Sequence, residues 1–94
     1  MEKRKDAAKP PLNSVKPPAN SVHKYREELG RSKVELARAA KLSERTVARI
    51  ERQEAIFRMT TYFRVLNGMN KLRGEDGLLA LTYEQLYPHG PARN

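Results

Sequence analysis

Ser32-Lys33-Val34-Glu35 reads as a capping box. In such a box the serine hydroxyl serves an orphan amide of a helix's first turn and the glutamate reaches back to the cap amide. Ser43 offers a second cap only one short helix later. Leu42 and Val47 flank it at the spacing of a hydrophobic staple, which fixes the angle at which the chain enters a helix. Between the caps, Leu36, Ala37 and Ala40 make a narrow apolar face, and its small side chains let another helix cross closely. After the second cap, Val47 and Ile50 face inward, and Glu44, Arg45, Ala48, Arg49 and Arg52 point outward. The pattern predicts a helix opened by Ser32, a break at Lys41-Leu42, and a second helix from Glu44 to about Arg52.

The flanking sequence supplies the rest of a helical bundle and no strand pattern. Ser21 is the expected cap of a first helix that runs to Leu29, with Val22, Tyr25, Arg26 and Leu29 on one face and Gly30 as its stop. A fourth helix is expected over 59–70, closing the core with Met59, Phe63, Leu66 and Met69. Gly68 costs that helix about 1 kcal/mol relative to alanine, so the last turn either frays or packs very closely. Residues 71–81 read as a looser connection through Gly74 and Gly77. Thr82-Tyr83-Glu84-Gln85 is a second capping box, opening a short helix through Tyr87 that Pro88 stops. Leu78, Leu79 and Leu81 exceed what a short connector needs, so they are either core or a surface for a second copy of the chain. Four of the six prolines fall within residues 1–20, which read as a flexible, disordered basic arm. The expected organisation is that arm, a folded domain over 21–88, and a short tail over 89–94.

Charge narrows the partner. Residues 31–73 carry eleven basic and four acidic side chains, whereas residues 74–94 carry one basic and three acidic. A folded segment with that excess repels itself unless a polyanion neutralises it, and nucleic acid fits better than an anionic membrane surface. The 94 residues include no cysteine, so neither disulfides nor thiolate metal sites are available. No apolar run approaches the roughly 20 residues of a membrane span, and no apolar stretch follows the basic N-terminus as in a secretory signal. A cytoplasmic, nucleoid-associated location is the expectation. His23 and His89 lie at opposite ends of the domain without ligand or nucleophile spacing, and no phosphate loop or paired catalytic carboxylates appear. The expectation is therefore a non-enzyme with no cofactor and no metal.

Two short, separately capped helices joined by a tight turn form either a helix-turn-helix unit or a plain hairpin in a bundle. The run LGRSKVELARAAKLSERTVARIER resembles the Cro/repressor-type helix-turn-helix of phage and bacterial regulators. Arg26, Gly30, Ser32, Leu36, Ala37, Ala40, Ser43, Thr46, Ile50 and Glu51 carry the likeness, with Leu42 and Val47 as conservative replacements. Downstream, LTYEQLYP is similar to the last short helix of that domain, so the resemblance spans Val22 to Pro88. It implies an all-α fold, a compact five-helix bundle of the lambda-repressor-like type with Ser32 to Arg52 as the reading unit. It also implies a partly buried ion pair between Arg26 and Glu51, where the alternative is two ordinary surface charges. Two residues depart from the pattern. Lys41 stands where the family has glycine, a strain of about 1 kcal/mol at positive φ that predicts a slightly reshaped turn. Lys33 stands where the family tends to have a phosphate-holding glutamine, and it can serve as a charged substitute.

On this reading Glu44, Arg45, Thr46 and Arg49 face base edges in the major groove of double-stranded DNA. Arginine can read guanine in a bidentate contact, glutamate can accept from cytosine N4, and Thr46 can touch a thymine methyl or a phosphate. Ser32, Lys33, Lys41, Ser43, Arg52 and Arg58 are placed for phosphates. Lys3, Arg4 and Lys5 of the arm offer a further minor-groove or phosphate contact, against the plainer reading of an unstructured tail. The leading expectation is a transcriptional regulator that binds as a homodimer. The alternatives are a protein-interaction module (antitoxin, antiactivator or partner subunit) and an architectural binder with little sequence preference.

Overall fold

A computed structural model describes residues 19–89 of the chain. Over the described residues the fold is all-α and has five helices: α1 (Val22–Leu29), α2 (Lys33–Ala40), α3 (Glu44–Glu51), α4 (Met59–Glu75) and α5 (Tyr83–Leu86). Leu36, Val47, Val65, Met69, Leu86 and Val22 are its largest fully buried side chains, drawn from all five helices into one cluster. Each such side chain contributes about 1.5–3 kcal/mol on leaving water, and no single helix of this length would persist without that burial.

The three predicted side-chain caps of α2, α3 and α5 have their expected geometry. Ser32 Oγ accepts from the Glu35 amide at 3.1 Å while the Ser32 amide donates to Glu35 Oε1 at 2.9 Å. Ser43 Oγ accepts from the Thr46 amide at 3.1 Å, and Thr82 and Gln85 reciprocate at 3.2 and 2.8 Å. The first helix is capped differently from expectation. Ser21 makes no side-chain cap; Asn20 Oδ1 accepts from the Val22 amide at 3.1 Å instead. Asparagine's longer side chain reaches the amide two residues ahead, which leaves the Ser21 amide free to donate to the Leu86 carbonyl at 2.8 Å.

The helix ends share one device. At the ends of α1, α2, α3 and α4 an amide five residues on returns to a carbonyl of the last turn: Arg31 to Arg26, Leu42 to Ala37, Glu54 to Arg49 and Leu78 to Arg73. That Schellman closure needs one left-handed residue. Gly30 and Gly77 supply it for α1 and α4, but Lys41 (φ 60°) and Gln53 (φ 57°) supply it on either side of α3. Lys41 therefore does not reshape the turn. The Leu42 amide reaches Ala37 at 2.8 Å, and the lysine carries the strain of a Cβ in that region.

The largest departure from the sequence reading is α4. It runs through Gly74 to Glu75, and its inward face is Tyr62, Val65, Leu66, Gly68, Met69 and Leu72. Met59 and Phe63, expected inside, are exposed by 42% and 45%. Tyr87 selects the other register: its ring meets Tyr62 edge-on at 5.3 Å, and its hydroxyl donates to the Tyr62 carbonyl at 3.0 Å. Burial pushes the Tyr87 hydroxyl far above the ordinary tyrosine pKa, so it stays a donor. The last turns of α4 are held by Leu72, which is buried, and by Arg31, whose Nη2 lies 3.0 Å from Asp76 and 3.4 Å from Glu75. Those contacts outweigh the propensity cost of Gly74. Gly68 packs rather than frays: a Cβ there would sit 2.7 Å from the Ala40 amide nitrogen, so α4 and α2 meet backbone to backbone. The leucines of the connector divide, with Leu81 buried and Leu78 and Leu79 exposed. α5 ends at Leu86, one residue before its predicted end, and Tyr87 leaves the helix to enter the core. The arm residues Lys3, Arg4 and Lys5 lie outside the described residues.

Candidate nucleic-acid interface

α3 is held at one end and bare at the other. At its C-terminal end the Glu51 carboxylate is 3% exposed and the Arg26 side chain 7%. Arg26 Nε donates to Oε2 at 2.7 Å and Nη2 to Oε1 at 3.1 Å, a fork-on-fork contact. Its Nη1 donates to the Arg31 carbonyl at 2.8 Å, so the same guanidinium joins α1, the α1–α2 loop and α3. His23 Nδ1 comes within 3.1 Å of Glu51 Oε1 and 3.2 Å of Arg26 Nη2. Burial alone would raise the Glu51 pKa, but the hydrogen bonds from Arg26 and His23 outweigh it and hold the carboxyl below its ordinary range. The Glu51 hydrogen bond outweighs desolvation at Arg26 and raises that group further. Asn20 adds a fourth tie, its Nδ2 donating to the Ile50 carbonyl at 3.0 Å.

The N-terminal end has none of this. Glu44 and Arg45, the first two residues of α3, are exposed, and neither makes an ion pair among the described residues. Thr46 is half-buried, with its hydroxyl 2.9 Å from that of Ser43, which turns the two polar atoms toward each other. Arg49 is also half-buried, its guanidinium 5.5 Å from the centre of the Phe57 ring. That ring limits the rotamers of Arg49 and shields one face of its charge.

The cations expected at phosphates are spread over several elements. Lys33 opens α2, beside the exposed Ser32. Lys41 and Ser43 are exposed in the turn. Arg52 is exposed but engaged, its Nε 2.8 Å from Glu54 Oε2. Arg58 is exposed at the start of α4, where its carbonyl accepts from the Thr61 amide at 2.9 Å.

Three contributors escaped the sequence reading. His23 lies one helical turn before Arg26, a spacing that could have placed it beside Glu51. Asn20 carried a signal too, because asparagine caps as well as serine does, but Ser21 took that role in the pattern. Arg31 gave a local signal only toward Glu35, four residues on; its other partners, Glu75 and Asp76, lie 44 and 45 residues away.

Among the described residues, no group of histidines and carboxylates is placed to hold a metal ion, and no helix is long and apolar enough to cross a membrane. No curated protein and no solved structure matches the chain. A family model described as helix-turn-helix matches residues 22–73, from the first residue of α1 nearly to the end of α4. That stretch holds the capped pair α2–α3 together with the helices that brace it. The chain belongs to the Cro/C1-type helix-turn-helix family, a family of DNA-binding regulators.

Proposed function

We propose that this chain is a sequence-specific transcriptional regulator that reads the major groove of duplex DNA with residues 44–52. The observation that carries the reading is the contrast along α3: four hydrogen-bonding ties at one end, and an uncompensated Arg45 beside Glu44 at the other. The major groove is about 12 Å wide and admits one helix end-first. Arg45 reads a guanine through its O6 and N7, and Glu44 accepts from a cytosine N4. Thr46, its hydroxyl occupied by Ser43, presents its methyl to thymine. Arg49 reaches a base edge or the sugar-phosphate wall from its shelf on Phe57. Ser32, Lys33, Lys41, Ser43, Arg52 and Arg58 set the register through phosphates, with the outward amides of α2's first turn. Arg26 and Glu51 touch no DNA; they set the angle of α3.

Two copies bind one site, with half-sites one helical turn apart. The surface that joins them lies in the Leu78–Tyr87 region. Leu79 is 87% exposed, and the Tyr83 ring lies 5.0 Å from the exposed Phe63, so apolar area remains uncovered on that side. The folded unit that acts in this way takes in Asn20, which caps α1 and ties to the Ile50 carbonyl, with residues 21–88.

Selection of bound fragments from a random duplex library by the full chain tests the reading. The expected outcome at about 0.15 M salt is enrichment of a short inverted repeat, because specific sites typically exceed non-specific ones by at least about a thousandfold. A bound pool that matches the input would reject base reading in favour of charge-driven binding.

A further inference from the structure

The α2–α4 crossing creates a second charged surface, of which the DNA reading uses only Lys41 at the turn. Because Gly68 lets the two helices meet at Ala40, the groove along their seam has a floor of backbone and methyl groups. Two concavities lie along it, and Ala39 lines both. Toward the start of α2 the walls are Arg31, Glu35, Glu75, Arg38 and Lys71; toward the turn they are Lys41, Arg64 and Asn67. No residue of α3 lines either part.

Charge is distributed unequally along this groove. Arg31 is neutralised, lying within 3.6 Å of Glu35, 3.4 Å of Glu75 and 3.0 Å of Asp76. Arg38, Lys71, Lys41 and Arg64 are all exposed, and among the described residues none lies within ion-pairing distance of a carboxylate. Arg64 and Lys71 stand two helical turns apart on one side of α4, which separates their positions by about 10 Å along the groove.

We infer that this groove binds an acidic segment of a partner protein, in an extended form, while α3 remains available to DNA. Three observations choose this occupant. A phosphodiester backbone carries uniform negative charge, and laid along the groove it would meet the half-exposed carboxylates of Glu35 and Glu75 at one end. A polypeptide can place its acids at Arg38, Lys71 and Arg64, leave Lys41 to DNA, and set a neutral or basic residue beside Glu35. The chain's own residues 1–20 hold five basic and two acidic side chains, so this surface repels them. The Asn67 amide and the small floor suit backbone hydrogen bonding by a peptide that sits deep in the seam. The surface is independent of the proposed base reading, and each can fail alone.

The test uses the full chain and a fluorescent twelve-residue peptide of alternating glutamate and glycine, followed by polarisation. Two variants carry the same change in charge: Arg64→Glu with Lys71→Glu on the groove, and Arg45→Glu on α3 with Arg52→Glu at its C-cap. The groove variant should weaken peptide binding by about tenfold or more and the α3 variant by no more than about threefold, because close pairs contribute more than long-range steering. Binding of a labelled duplex should show the reverse order. Arg64→Gln with Lys71→Gln, which adds no repulsion, should reproduce the loss in weaker form, and circular dichroism checks that all variants are helical. Equal weakening of the peptide by both charge-reversed pairs would overturn the inference, as would no peptide binding at low salt. Loss of duplex binding in the groove variant larger than that in the α3 variant would assign the groove to phosphate instead.

Discussion

The two ends of α3 solve opposite problems with the same eight residues. The C-terminal end spends a buried carboxylate, a guanidinium, a histidine and an asparagine to remove motion. The N-terminal end leaves an arginine and a glutamate in water, closed only by a serine cap. A side chain that must choose between bases needs a fixed origin, because a displacement of about 1 Å is enough to spoil a bidentate contact. On the proposed reading, rigidity is therefore built away from the DNA, and chemistry is displayed where support is absent.

Breaking the held end should have the largest effect. Glu51→Ala leaves the Arg26 guanidinium buried without its partner and should cost about 3–5 kcal/mol in chemical denaturation, whereas replacing both residues by methionine should recover most of the loss. Acid reaches the same contact reversibly. The folded Glu51 pKa lies below its ordinary value of 4.5, so its stabilisation is fully present above that pH. It is lost as the pH falls through the depressed folded value. Glu51→Gln should flatten the stability profile in that window, and an unchanged profile would remove Glu51 from the account.

The support behind α2 comes next. Gly68→Ala gains helix propensity but drives a Cβ into the Ala40 backbone at 2.7–2.8 Å. Backbone cannot turn aside, so a net loss of about 2 kcal/mol is expected in thermal unfolding. A neutral outcome would mean that the helices separate without cost.

The bare end should behave in the opposite way. Arg45→Ala should leave unfolding within about 0.5 kcal/mol of the parent and remove about 1–3 kcal/mol of discrimination at one base pair. Lys33→Ala should instead weaken all duplexes alike and lower the salt slope by about one unit. The smallest effect sits between the two regions. Lys41→Gly relieves a left-handed Cβ at the cost of a looser unfolded chain, for a net gain of about 0.5–1 kcal/mol, read as a rise of a few degrees in Tm.

What was legible in the sequence was local. The Ser32–Glu35 and Thr82–Gln85 boxes are complete within four residues, so their chemistry is visible without knowing the fold. The face of α4 was not, because two stripes compete there and share Leu66 and Met69. Met59 and Phe63 continue one of them, and Tyr62, Val65 and Leu72 the other. Neighbouring positions differ by about 100° on a helix, and the choice is made by Tyr87, 25 residues away. The end of α4 was hidden for the same reason: Gly74 argues for a stop, and the answer comes from Arg31. At the candidate interface, the exposed charges on α3 could be read from periodicity. The shelf that Phe57 makes for Arg49 could not, since Phe57 lies in the irregular segment between α3 and α4.

Asn20 gives the molecule a mechanical property. One amide side chain grips both the first free amide of α1 and the Ile50 carbonyl, and the next residue's backbone is fastened to Leu86. Tension on the chain ahead of residue 20 is thus delivered to the root of α3 and to α5 before it reaches the rest of the bundle. A pull at Asn20 therefore loads the C-terminal end of α3 first.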